Sequence, residues 1–251
     1  MGQIHSAANN GDLQALAQCI IKAPTMIDCT DQNGWTALHW SSYQGHGRLV
    51  EYLLGQGASI NQQVRGLGAT ALYLACQQGH MEMVELLAAN GADAVARNGE
   101  GWTPLMAASF KGHVNIIRYL FDITGGTSGI NAVKDDGETA LCLACHGGHA
   151  EVVRLLLDAG SDPTKARADG MTPMDIAMAT GHHDCVLVLE DWQRSYMLIK
   201  ARHLSRKGHR RASNQTQDSR LLDYVVTDMN DDVFREVMGM MGGCKVQPSG
   251  F

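Results

Sequence analysis

Five segments of this chain repeat one pattern. "TALHWSSYQGH" from Thr36, "TALYLACQQGH" from Thr70, "TPLMAASFKGH" from Thr103, "TALCLACHGGH" from Thr139 and "TPMDIAMATGH" from Thr172 each reach a Gly-His pair nine and ten positions after the threonine, with the threonines 34, 33, 36 and 33 residues apart. A fixed period of this length implies stacked units that each bury a face on the next, which constrains the fold more than any single element does. After Gly-His come apolar runs such as "LVEYLLGQGAS", "MVELLAANGAD" and "VVRLLLDAGSD". Each unit reads as helix, turn, helix and hairpin loop.

The spacing has a physical reading. Threonine opens the first helix, where its hydroxyl can take one of the exposed amide donors. The fifth and sixth positions after it are small (Ser41 and Ser42, Ala75 and Cys76, Ala108 and Ser109, Ala144 and Cys145), so neighbouring helices can approach closely. Glycine before each histidine suits a left-handed helix end. The paired leucines of the second helix, Leu53 with Leu54 and Leu155 with Leu156, are expected to bury against adjacent units.

These motifs resemble the ankyrin repeat, with its Thr-Pro-Leu-His opening, Ala-Ala in the first helix, Gly-His, Val-x-x-Leu-Leu and Gly-Ala-Asp. The resemblance covers roughly residues 4 to 190, taking "IHSAANNGDLQALAQCI" as a degenerate first repeat. Only the unit from Thr36 keeps histidine in its opening motif, and "TGGTSG" near residues 124–129 is an insertion expected to lengthen a loop. The implied fold is an all-α ankyrin-repeat solenoid with a C-terminal helical extension. Its repeat domain spans 1–195, with repeats at about 4–30, 31–64, 65–97, 98–134, 135–168 and 169–195.

Composition excludes several alternatives. No apolar run reaches the length of a membrane span, and no secretory signal opens the chain. Seven cysteines at irregular spacing do not form a disulfide framework, so the protein is expected in the cytoplasm, with the nucleus a second location. Net charge is −6, but residues 200–211 hold six Lys or Arg and no carboxylate, leaving −12 on the rest. An acidic body with one basic segment is a poor match to a nucleic-acid-binding domain, and none is expected.

"CLACHGGH" at 142–149 fits a haem-attachment signature and gathers Cys142, Cys145, His146 and His149 on one helical face. The repeat explains it more simply. Cys145 falls in the small-residue column, and His149 falls in a column that is histidine throughout (His46, His80, His113, His149, His182). Cys142 and His146 fall in variable columns, filled elsewhere by His39, Tyr73 and Met106 and by Tyr43, Gln77 and Phe110. No metal, cofactor or catalytic residue is assigned. "GHHDC" at 181–185 is the one further cluster suggesting a hydrolase or metalloprotein, and its His182 is again the repeat column.

By the same resemblance, variable positions gather on the hairpin tips and the exposed side of the first helices, which form a concave partner-binding surface. The column before each threonine holds Trp35, Ala69, Trp102, Glu138 and Met171, and the column seven after it holds Tyr43, Gln77, Phe110, His146 and Ala179. Large aromatics are frequent anchors. The expected partner-binding residues are therefore Trp35, Tyr43, Gln77, Trp102, Phe110 and His146, contacting a protein whose identity the sequence does not name. An alternative for the two tryptophans is packing on their own hairpins.

The chain ends carry weaker signals. "MGQIHS" fits the myristoylation pattern at Gly2, which with the basic segment 200–211 would make a peripheral membrane protein. Residues 196–218 are expected to be a basic helix end and a polar linker, read from "SRKGHRRASNQTQ", with Ser213 in "RRAS" resembling a basophilic kinase site. Helical periodicity returns over 219–242, and 243–251 are expected to be disordered. The function expected overall is a non-catalytic interaction module, an intracellular adaptor or regulatory subunit.

Overall fold

Thr36, Thr70, Thr103, Thr139 and Thr172 each sit in extended backbone before a helix, and each hydroxyl accepts the amide of the residue three positions on. A computed structural model describes residues 2–125 and 129–211, with side chains omitted from 199 onward. The described residues contain twelve α-helices and no strand. The helices pair in chain order: α1 (Gln3–Asn10) with α2 (Leu13–Lys22), α3 (Ala37–Gln44) with α4 (Gly47–Gly55), and α5 (Ala71–Gln78) with α6 (Met81–Ala89). Then follow α7 (Pro104–Lys111) with α8 (Val114–Thr124), α9 (Ala140–Gly147) with α10 (Ala150–Asp158), and α11 (Pro173–Ala179) with α12 (His183–Arg211). One 3-10 turn, Pro24–Met26, follows α2.

First helices pack on first helices in the order α1, α3, α5, α7, α9, α11, and second helices follow the same order more loosely. The small column explains the close row. Ser41, Ser42, Ala75, Cys76, Ala108, Ser109, Ala144 and Cys145 are fully buried, so any longer side chain there would separate two repeats. In each leucine pair one member is buried and the other half-buried: Leu53 over Leu54, and Leu156 over Leu155. Each buried leucine contributes about 2 kcal/mol by leaving water.

The histidine column ties the rows together. His46, His80, His113, His149 and His182 each donate an Nε2–H to a main-chain carbonyl of the preceding repeat, those of Asn9, Tyr43, Gln77, Phe110 and His146, at 3.0–3.4 Å. From His80 onward the acceptor is the variable position seven after the threonine. The scaffold therefore fixes its backbone while leaving its side chain free to vary.

The chain divides into two units, Met1–Leu189 and Glu190–Phe251, the boundary falling within α12. In the second, Trp192 and Tyr196 stack at 5.1 Å and Arg194 pairs with Glu190. The helix runs through Arg211, so the polar stretch expected from Ser205 begins as helix. Ser213, the 219–242 tail and the 243–251 terminus lie outside the described residues, as do residues 126–128 of the insertion.

Candidate interaction surface

The six residues expected to bind a partner lie at the ends of α3, α5, α7 and α9 and on the hairpins preceding α3 and α7. Trp35, Tyr43, Gln77, Trp102 and Phe110 are half-buried, not the freely exposed side chains expected, and His146 is exposed. The cause is aromatic packing. Trp35 meets Tyr43 edge to face at 5.5 Å, and Trp35, Tyr43 and Trp102 all rest on a buried cluster of Val64, Ala69, Tyr73, Leu74 and Ala107. Further along, Trp102 meets Phe110 at 6.0 Å and Phe110 meets His146 at 5.8 Å, again edge to face. The row thus forms two aromatic groups with Tyr73 and Gln77 between them.

Polar contacts hold the two tryptophans differently. The Trp102 indole donates to Glu100 of its own hairpin at 3.2 Å, and the Lys134 ammonium from the next hairpin lies 4.6 Å from its ring centre. At Trp35 the hairpin acts through the main chain: the Asp31 carboxylate accepts the amides of Asn33 and Trp35 and, at 3.0 Å, the Trp40 indole N–H. The first cause acting on Asp31 is burial, which opposes its charge. These three hydrogen bonds outweigh it and hold the carboxyl below the ordinary aspartate value. The Trp102 ring is thus tied to its own hairpin, whereas the Trp35 ring packs on Trp40, Tyr43 and the buried cluster, and both rings keep residual exposure.

Four participants were not anticipated. Tyr73 belongs to the buried cluster, Trp40 tilts against Trp35 at 4.6 Å, and Asp31 and Lys134 hold Trp40 and Trp102 at the edges of the row. Tyr73 stood in a visibly variable column, beside His39, Met106 and Cys142, and that was the available signal. Burial, with the Glu100 charge adding to it, pushes the Tyr73 hydroxyl up to about 12.

The cysteine and histidine clusters separate in space. Cys142 and Cys145 are fully buried, Cys142 taking a hydrogen bond from the Thr139 hydroxyl, while His146 is exposed and His149 is committed to the Phe110 carbonyl. Burial pushes the thiols of Cys145 and Cys185 above the ordinary cysteine range, the reverse of what a nucleophile or metal ligand requires. Among the described residues no group of three or more His, Cys, Asp or Glu is placed to hold a metal ion, and no helix is long and apolar enough to cross a membrane. Gly2 is exposed at the start of α1.

Stacked helix pairs, threonine caps and a histidine ladder define a helical repeat protein. A family model described as ankyrin repeats (3 copies) matches residues 4–64, 58–131 and 123–194, and the chain belongs to the ankyrin-repeat family. Ankyrin repeats are protein-interaction modules. Among curated proteins it is similar to a fem-1 homolog A-like protein of Mus musculus, 28% identical over 112 residues (45% of this chain, 17% of that protein). It is also similar to the ankyrin repeat and KH domain-containing protein mask-1 of Caenorhabditis elegans, 34% identical over 157 residues (62% of this chain, 6% of that protein). The human NAD-capped RNA hydrolase NUDT12 matches over 55 residues at 36% identity, 22% of this chain and 12% of that protein. The chain spans less than a fifth of the length of each of these relatives. A solved structure from Bdellovibrio bacteriovorus, a predatory endopeptidase in complex with an immunity protein, contains a similar fold (TM-score 0.68, 24% identity, 76% of this chain and 98% of that one).

Proposed function

We propose that this protein is a non-catalytic interaction module, an intracellular adaptor or regulatory subunit, that holds a protein partner on the face built by the ends of α3, α5, α7 and α9. The observation that carries this reading is the aromatic row itself: Trp35, Tyr43, Trp102 and Phe110 keep exposed surface, and at Tyr43 and Phe110 the histidine ladder uses only the main-chain carbonyl. Other repeats fill these columns with Ala69, Ala179 or Gln77, so bulk is not demanded by folding. Half-buried, mutually braced rings lose little side-chain freedom on binding, which suits them as anchors.

Affinity capture with the full chain tests the proposal. Truncating a true anchor costs about 2 kcal/mol or more, roughly a 30-fold loss of affinity. Proteins retained by the wild type are expected to be lost with Tyr43→Ala and with Phe110→Ala, and kept with Glu85→Ala on the second-helix side. Tyr43 also rests on the buried cluster, so its unfolding midpoint is measured alongside. Equal capture by both aromatic variants and the wild type would remove this face as the site.

A further inference from the structure

The helices that form this face differ in charge from the second helices they pair with. α3, α5, α7 and α9 contain no Asp or Glu, in a chain with 26 carboxylates against 20 Lys and Arg. The second helices take the acidic side chains instead, with Glu51, Glu82, Glu85, Asp122, Glu151 and Asp158 all exposed there. The helical part of this face therefore carries no carboxylate, while Asp31, Glu100 and Glu138 on the hairpins are engaged by Trp40, Trp102, Lys134 and Arg167, so an anionic partner is repelled less at these helix ends than on the second-helix side.

At the end of α7 the face carries a cation. The exposed Lys111 ammonium lies 5.5 Å from the Phe110 ring centre and has no carboxylate partner among the described residues. Exposed His146 meets the same ring edge to face at 5.8 Å. The neighbouring His113 is held below the ordinary histidine value by burial first; the Gln77 carbonyl opposes this, and His149, Lys111 and His80 add to it, with no carboxylate among the causes. Phe110 is thus an apolar seat flanked by two groups able to pair with an anion.

Between this end and Tyr43 lie the half-buried side-chain amides of Gln77 and Gln78, which no hydrogen bond reaches among the described residues. Each offers both donors and an acceptor, as the main chain of an extended peptide requires. A polyphosphate backbone fits less well. Glu100, bonded to the Trp102 indole beside this row, would face a phosphate, whereas a peptide can place its charge at one end only.

We infer that the occupant of this face is an acidic, extended protein segment, with a carboxylate against Lys111 and His146 and apolar side chains on Phe110 and Tyr43. The inference rests on the interaction-surface reading above and adds the partner's chemistry to it.

The test is selection of a displayed random-dodecamer library on the full chain. Selected peptides are then synthesised and titrated by fluorescence anisotropy against wild type, Lys111→Glu, His146→Glu and Tyr43→Ala, with phosphatidylserine vesicles and a single-stranded oligonucleotide as parallel probes. Enrichment of Asp and Glu beside aromatic or aliphatic residues is expected, with about a tenfold or larger loss on charge reversal at Lys111 or His146. Peptides without acidic enrichment that still depend on Tyr43 would overturn the charge inference and leave the face intact. Binding indifferent to Tyr43→Ala and to both reversals would remove the inference and the face together. A selection yielding no binder, or vesicles or oligonucleotide binding through Lys111 more tightly than any peptide, also overturns it.

Discussion

The Lys134 ammonium lies 4.6 Å from the centre of the Trp102 ring while it donates to Asp136 and Glu138, each at 2.8 Å. Lys134 stands five residues before Thr139, and Trp102 stands one before Thr103. The next pair of repeats uses the same two columns: Arg167, five before Thr172, reaches Glu138, one before Thr139, at 3.3 Å. One hairpin therefore answers the side chain presented by the hairpin before it, with a cation over an aromatic ring in one case and an ion pair in the other.

Lys134→Met removes the charge and keeps most of the stem. Glu138 has only 6% of its side chain exposed and Lys134 11%, so the lost partner leaves a nearly buried carboxylate with Arg167 alone. Burial opposes the Lys134 charge, yet Asp136 and Glu138 outweigh it and hold the amine above the ordinary lysine value. The expected loss is about 2 kcal/mol, because a nearly buried carboxylate left with one of its two cations is under-compensated. Urea unfolding gives the midpoint, and Trp102 fluorescence should shift with it. A midpoint unchanged from wild type would show that water already screens Glu138.

Gly112 and Gly160 separate two effects of adding a methyl group. Both have positive φ, +77° and +94°, so alanine is strained at either. At Gly112 the new Cβ would also lie 2.5 Å from the His149 Nδ1, whereas at Gly160 nothing lies within 4 Å. Gly112→Ala is therefore expected to be less stable than Gly160→Ala by about 1 kcal/mol or more, since His149 must give up its bond to the Phe110 carbonyl or move. Equal midpoints for the two variants would mean the histidine ladder adjusts without cost.

His39 makes stability depend on pH. Its Nε2–H donates to the Gln62 carbonyl at 2.9 Å and its Nδ1 accepts the Thr36 amide at 3.1 Å, which fixes a neutral ring. Burial, the first cause, holds its pKa below the ordinary value, and His113 shifts the same way. Below about pH 6.5 the unfolded chain takes up a proton at this residue and the folded chain does not. The stability contribution is thus complete above that value and is lost as pH falls through the lower folded pKa. Urea midpoints between pH 8 and 5 should decline in wild type and decline less in His39→Gln, whose side chain can keep the cap. Parallel curves for the two proteins would assign the slope to other groups.

Much of the architecture is carried by residues whose roles are local and repeat along the chain. A threonine hydroxyl caps the three-residue-distant amide in the same turn, and a glycine closes the helix that the threonine opened, so Thr36 to His182 can be read column by column from the sequence alone. The small pairs and the histidine column are legible for the same reason, and they assign Cys145 and His149 of "CLACHGGH" to the scaffold. The candidate surface is legible only in part. Trp35, Tyr43, Trp102 and Phe110 stand out as large residues in variable columns, but their half-burial, the membership of Tyr73, and the cover that Lys134 gives Trp102 depend on how one repeat is set against the next. Those contacts join residues more than 30 positions apart, as in Trp102 with Lys134 and Phe110 with His146, and their geometry follows from the rise and rotation between repeats, which the stacking of buried helices decides and which no single repeat contains.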